Sequence, residues 1–407
     1  MEVKKTSKKI FSVLLIVFLS VSFIFAGAQK EVTKVPDMPV LKIGVLGVMS
    51  GAGASWGLVS KYSTEALAEM YNREGGFEID GVKYHISVIT EDTKMDARVS
   101  RTAMEKLIHQ DKIKYIVGTN IDDTTASAQP VLEAGGGVNI SYGFHKELFR
   151  KPHYNTFLGM PTPYNSAPII YDYTMKKYGV KTISFVARND SDSLFDRDEG
   201  VEAARNLGLN ILSHTETYEP DTTDFYPIIT KIVRMNPDQI VLSGVAPGDA
   251  PLLIKAAREL GYKGVISTET GQDSKIISEI AGDYANGFLS IGSASSPELI
   301  SDFMKDYIDV YSKIAGEWND EAGTKAYALY MILQTLQIAG ADAINDVEVF
   351  KRAVPNVKVK NPFVKEDIML SYIGEEILGH PRQLGVPLVV NEYQNGSFNT
   401  LFIETEY

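Results

Sequence analysis

The sequence predicts an α/β protein of two Rossmann-like lobes, each a parallel sheet covered on both faces by helices. Three observations carry that prediction. Short apolar or β-branched runs alternate with amphipathic stretches from Leu41 to Ile291. The alternation restarts beyond Pro161, so it describes two successive sheet units. The length left after an N-terminal export-type segment, about 379 residues, is large for one core and suits two.

The export-type segment decides the compartment. Lys4, Lys5, Lys8 and Lys9 precede an apolar run from Ile10 to Phe25, and Ala26-Gly27-Ala28 offers the small-x-small pattern of a signal peptidase site. The run is about 16 residues against the roughly 20 that span a bilayer. A cleavable signal peptide over 1–28 is expected, with a retained anchor as the alternative, and 29–39 reads as a flexible leader. With no cysteine in the chain, neither disulfides nor a lipid-modified N-terminal Cys can staple or tether it. The expected location is the free periplasm or an equivalent extracytoplasmic space. Removing 1–28 takes the formal charge from -12 to about -15. An acidic chain without basic clusters is not expected to bind nucleic acid or an anionic membrane.

Leu41-Lys-Ile-Gly-Val-Leu-Gly-Val-Met49 reads as a buried strand that empties into a small-residue turn, Ser50 to Gly57, carrying one large aromatic, Trp56. Val59, Tyr62, Ala66 and Met70 then fall at helical spacing, and Gly75-Gly76 ends that helix. A strand at His85 to Thr90, a helix near Ala97 to Gln110 and a strand at Lys114 to Gly118 follow. A helix near Thr124 to Ala134 leads to a strand at Val138 to Ile140. The second unit starts with a helix near Asn165 to Tyr178. Its strands are Thr182 to Val186, Asn210 to Ser213, Gln239 to Leu242, Val265 to Ser267 and Phe288 to Ile291, separated by helices such as that of Leu252, Leu253, Ala256, Ala257 and Leu260. The tail breaks the rhythm with long helices at Pro297 to Ile314 and Glu321 to Ala339. A hairpin around Val386 to Phe402 turns at Gln394-Asn395-Gly396. Such a tail completes the two lobes and forms no third.

These segments resemble the type I periplasmic binding proteins of branched-chain amino acid ABC importers, the leucine/isoleucine/valine-binding family. The resemblance lies in the opening strand and turn, Asn72-Arg-Glu-Gly-Gly76, Glu91-Asp-Thr-Lys94 and Tyr115-Ile-Val-Gly118. It continues in Asp224-Phe225 with Pro227-Ile-Ile229, in Ala256-Ala-Arg-Glu-Leu-Gly261, and in Ile280-Ala-Gly282 with Gly287-Phe288. It implies two lobes joined by a three-strand hinge, with crossings near Leu158 to Pro161, Ile291 to Ser293 and His380 to Gly385. Lobe 1 would hold 40–160 and 292–380, and lobe 2 would hold 161–291 and 381–407. It also implies a monomer that closes on a small ligand and docks on a membrane permease.

Ligands of open α/β sheets lie beyond the carboxyl ends of strands. The loops in that position are 50–57, 119–125, 141–145, 189–195, 243–249 and 268–272. By the resemblance, Trp56 is the aromatic wall of the ligand site, or else a buried lobe residue. Glu269 falls where the family has an acid that receives the ligand's ammonium, or else is a solvated loop acid. The family's carboxylate clamp is where this chain departs. Asp122 takes a position usually held by a small hydroxyl residue and faces the ligand, or else Asp122 or Asp123 caps the helix. In the loop Ser141-Tyr-Gly-Phe-His145, Phe144 and His145 follow Gly143 where small residues are expected. Phe195 lies near a family tyrosine. Aromatic faces with carboxylates suit an amine through cation–π and charge pairing, so the expected ligand is an amino acid or related amino compound.

No catalytic residue, cofactor or metal site is expected. Gly51-Ala-Gly53-Ala-Ser-Trp56 has half of a dinucleotide fingerprint, with Trp at the third glycine's place. There is no phosphate-binding loop, no nucleophile elbow, and the six histidines are scattered. The expected function is therefore amino acid transport as the substrate-binding protein of an importer. The alternative is the ectodomain of a sensor with the same fold, which would need the anchor retained.

Overall fold

The computed structural model describes residues 38–407 except Ala52, Ser295 and Ser296. The expected signal peptide 1–28 and residues 29–37 of the expected leader lie outside the described residues. Strand β1 (Val40–Gly47) is buried without interruption from Ile43 onward, as a central parallel strand covered on both faces must be. Helix α1 (Ala54–Arg73) ends where expected. Gly75 and Gly76 take φ of +93° and +97°, and their N–H groups donate to Asn72 and Tyr71 carbonyls at 3.0 and 2.9 Å. Strands β2 (Phe77–Ile79) and β3 (Val82–Asp92) form a hairpin through Asp80-Gly81, both at positive φ. Helix α2 (Ala97–Glu105), β4 (Tyr115–Gly118), α3 (Asp122–Gly135), β5 (Val138–Ser141) and β6 (Thr156–Leu158) follow.

The second unit opens with α4 (Pro163–Tyr178), whose start is fixed by a reciprocal capping box between Thr162 and Asn165. It continues as β7 (Thr182–Arg188), α5 (Ser191–Asn206), β8 (Asn210–Tyr218), α6 (Tyr226–Arg234), β9 (Gln239–Ser243), α7 (Ala250–Glu259), β10 (Val265–Gly271), α8 (Ser274–Ile280) and β11 (Leu289–Gly292). The tail supplies α9 (Asp302–Ala315), α10 (Ala322–Ala339), α11 (Val347–Ala353), β12 (Lys358–Lys360), β13 (Met369–Ile373), α12 (Glu375–Leu378), β14 (Gln383–Gly385), β15 (Leu388–Gln394) and β16 (Ser397–Glu404).

Two sheets result. The first runs β12-β13-β14-β6-β5-β4-β1-β3-β2 and the second β16-β15-β11-β10-β9-β7-β8. Their inner strands are parallel; β2, β12, β13, β15 and β16 add antiparallel edges. Helix α10, buried on nearly every face, packs between α1 and the first sheet's core. Residues β15 and β16 turn through Asn395-Gly396 at φ +52° and +94°, the expected hairpin.

The chain passes between sheets after β6, after β11 and after β14. The third passage lies between Gly385 and Leu388, because Gln383–Gly385 pairs with β6 and β13 in the first sheet. The strand assigned from sequence to the second lobe's 381–407 portion thus contributes its first residues to the other sheet. The loop read as 189–195 is shorter than expected: α5 starts at Ser191, with Asp190 as its N-cap accepting from Ser193 N at 2.9 Å, so Phe195 lies in a helix.

Candidate functional site

Strand order reverses direction at β1 in the first sheet and at β7 in the second. Such switch points open a crevice at the strands' carboxyl ends. A cavity of about 240 Å³ lies there, lined from both sheets. The first sheet's side supplies Trp56 in the first turn of α1, Asn120 and Ile121 before α3, Tyr142 and Phe144 after β5, and Glu321 and Lys325 at the start of α10. The second sheet's side supplies Arg188, Asp190 and Asp192 after β7, Val245 after β9, and Thr270 and Gly271 at the end of β10.

Asp122 sits beneath this cavity, 6% exposed, and caps nothing in its own helix; Ile121 is the N-cap and offers no side-chain bond. Its Oδ1 accepts instead from the N–H groups of Phe144 and His145, at 2.7 and 3.2 Å. Gly143 makes that possible: a Cβ there would stand 2.9 Å from Asp122 Oδ1 and 2.8 Å from Thr125 Oγ1. The neighbouring hydroxyls of Thr119, Thr125 and Ser141 close on one another. Burial holds the Asp122 carboxyl above the ordinary range against those backbone donors. Asp192, from the other sheet, lies close enough to Asp122 for the two carboxyls to feel each other's charge. Burial, then repulsion from Asp122 and Asp190, pushes the Asp192 carboxyl up to about 8.

Other contacts cross between the sheets. The Arg188 guanidinium, held by Asp190, lies 5.9 Å from the Trp56 ring centroid. Phe195 packs against Phe144 and His145 at 6.0 and 4.6 Å between centroids, in an apolar cluster beside the cavity rather than on its wall. Next to them Lys146 pairs with Glu199 at 2.7 Å. Lys325, 4% exposed, pairs with Glu321 at 2.9 Å and stands 3.9 Å over the Tyr142 ring.

The structure places Glu269 differently from the rest. It is 1% exposed and does not line the cavity. Its side chain lies on the face of β10 opposite to that of Thr270, as strand alternation requires. There Tyr171 Oη donates to it, and Asp196 lies beside it. Gly200 in α5 gives the pair room, since a Cβ would come 2.7 Å from Tyr171 Oη and 3.3 Å from Glu269 Oε1. Burial pushes the Glu269 carboxyl up to about 8 and Asp196 well above the ordinary range.

Of the expected residues, then, Trp56 and Phe144 line the cavity, Asp122 with Gly143 and His145 supports its floor, Phe195 flanks it, and Glu269 is behind its wall. Arg188, Asp190, Asp192, Tyr142, Glu321 and Lys325 were missed as site residues. Lys325 carried a signal, being the sole charge within Ala322–Ala339. Asp190 and Asp192 carried another, as closely spaced acids after a strand.

Comparison with known proteins bears on this two-sheet cavity. The periplasmic binding protein family matches residues 40–370. The chain belongs to that family. It is thus a member of a solute-binding family, of type I fold. The Leu/Ile/Val-binding protein of Escherichia coli K12 is 24% identical over 313 residues, covering 75% of this chain and 80% of that one. Among solved structures, the branched-chain amino acid transporter substrate binding protein LivJ of Streptococcus pneumoniae, in complex with isoleucine, superposes with a TM-score of 0.74 at 22% identity. The match covers 90% of this chain and 99% of that one. A solute binding protein of R. palustris in complex with 4-hydroxybenzoate superposes at 0.72 with 18% identity, covering 90% and 97%. These two neighbours share the fold, one in complex with isoleucine and the other with 4-hydroxybenzoate.

Proposed function

We propose that this periplasmic binding protein is the extracytoplasmic substrate-binding subunit of an ABC importer, capturing a small amino compound between its lobes and delivering it as a monomer to a membrane permease. The observation that carries the reading is the cavity at both switch points, bounded by Trp56, Tyr142 and Phe144 and by carboxylates from both sheets. Aromatic faces and carboxylates together favour a cation. A volume of about 240 Å³ is below the roughly 300–1,000 Å³ of drug-sized sites, which suits a small metabolite.

Trp56 and Asp122 belong to the first lobe and Asp192 to the second, so a ligand touching both favours their approach by its differential affinity for the closed arrangement. The signal peptide expected over 1–28 supports an extracytoplasmic location, which N-terminal sequencing of the protein from its native envelope checks. Calorimetric titration with leucine, aromatic and basic amino acids and simple amines, with small-angle scattering of the same samples, tests the function. Saturable binding with compaction is expected; no binding by any of them sinks the amino-compound reading.

A further inference from the structure

The loop N–H groups and hydroxyls beside the start of α3 that could receive a ligand carboxylate are engaged by the protein itself. The Phe144 and His145 N–H groups donate to Asp122 Oδ1. The Gly143 N–H donates to Ser141 Oγ at 3.1 Å, and Thr119, Thr125 and Ser141 bond to one another. Asp192 lines the cavity from the opposite sheet, as Asn120, Ile121 and Asp123 at this helix start line it from the first. Of the cations lining the cavity, Arg188 is held by Asp190 and lies over Trp56, and Lys325 is held by Glu321. Asp192 and Asp123, which also line it, have no cationic partner among the described residues.

We propose that Asp122 and Asp192 stand where a ligand carboxylate would otherwise bind, so that the cavity takes a small amine carrying no carboxylate beside its ammonium group. The inference rests on the amino-compound reading above and narrows it. An ammonium group at Asp192 gains a counter-charge and the aromatic faces of Trp56 and Phe144. An α-carboxylate held next to that ammonium meets the charge that the ammonium draws out on Asp192, beside loop N–H groups already taken by Asp122. The Phe144 and His145 N–H groups fix the Asp122 carboxylate in this arrangement, and Gly143 leaves it the room.

The test is calorimetry on the mature chain at pH 7 with matched probes: phenethylamine against phenylalanine, and 3-methylbutylamine against leucine. At least one amine is expected to bind, and its amino acid counterpart to bind at least ~30-fold more weakly. In Asp192→Asn, checked for folding by circular dichroism, that gap is expected to narrow by about 10-fold. An amino acid binding as tightly as its amine overturns the inference while leaving the amino-compound reading standing. An unchanged gap in the folded variant removes Asp192 from the role and overturns it likewise. Failure of all four probes overturns both together.

Discussion

The carboxyl groups of Asp122 and Asp192, on helix starts of opposite sheets, lie close enough for the charge of Asp122 to raise the proton affinity of Asp192. Asp122 Oδ2 is buried without a hydrogen-bond partner, and two ionised carboxyls so near one another in a dry setting repel, so the pair favours keeping one proton. Apart, each would ionise at about 4; together, burial raises both, Asp192 to about 8. Approach of the lobes therefore takes up a proton. The contact is at full strength below the ordinary carboxylate value and is lost as pH rises through about 8, weakening by about 1.4 kcal/mol per pH unit between. Ligand-free protein should be more compact at pH 5 than at pH 9 by small-angle scattering, and Asp192→Asn should flatten that response. A radius of gyration constant across the range would show that no shared proton links the lobes.

Amine binding should show the opposite slope. A cation prefers ionised Asp192, so the proton is released when the ligand arrives, and affinity should rise between pH 5 and pH 8. Calorimetry in two buffers of different ionisation enthalpy would read that release directly. Proton uptake on binding, instead of release, contradicts the pairing.

Trp56 is half-buried at the lip of α1 and meets Arg188 across the cavity. Truncation removes an aromatic wall and a cross-lobe cation–π contact without opening a sealed core. Trp56→Ala should weaken ligand affinity by about 10- to 100-fold and leave the melting temperature nearly unchanged. A large fall in melting temperature at unchanged affinity would make Trp56 a lobe residue and nothing more.

Glu269 carries its consequence in stability. Its Oε1 accepts from Tyr171, its Oε2 has no donor of good geometry, and Asp196 is its neighbour, all buried. Because burial raises its pKa to about 8, the native state favours the protonated form. That stabilisation is complete in acid and lost as pH rises through about 8. Glu269→Gln should therefore lose less stability than wild type between pH 6 and pH 9 in thermal melts. Glu269→Ala should cost about 1–3 kcal/mol by stranding the Tyr171 hydroxyl. Equal pH profiles for wild type and the Gln variant would mean that Glu269 stays ionised.

The alternation of strands and helices was legible because each parallel strand had to be an apolar run. Short elements were not: β2, β6, β12, β13 and β14 are too brief, or too mixed in polarity, to announce themselves. The site was legible where a loop residue is out of character for its surroundings, as with Trp56 among small residues and Asp122 ahead of a helix. It was illegible where function depends on which face of a strand a side chain takes. Thr270 lines the cavity while Glu269 next to it is sealed away. Contacts between distant segments, such as Asp122 with Asp192 or Arg188 with Trp56, leave no spacing in the sequence to read.

Gly57 is the sharpest case of a signal displaced by one residue. In a dinucleotide fingerprint the third glycine lets the helix approach its strand, and Trp56 at that place removed the fingerprint. The structure keeps the close approach and moves it to the next residue. A Cβ on Gly57 would stand 2.0 Å from Val48 O and 2.4 Å from Val48 C, both backbone, which cannot swing aside. Adding one methyl must therefore push α1 off the end of β1, carrying Trp56 with it. Gly57→Ala should cost more than about 3 kcal/mol, read as a drop in urea midpoint or loss of soluble protein. In any folded fraction, ligand affinity should fall as in Trp56→Ala. A folded Gly57→Ala protein with wild-type midpoint and affinity would mean that α1 does not depend on this contact for its position.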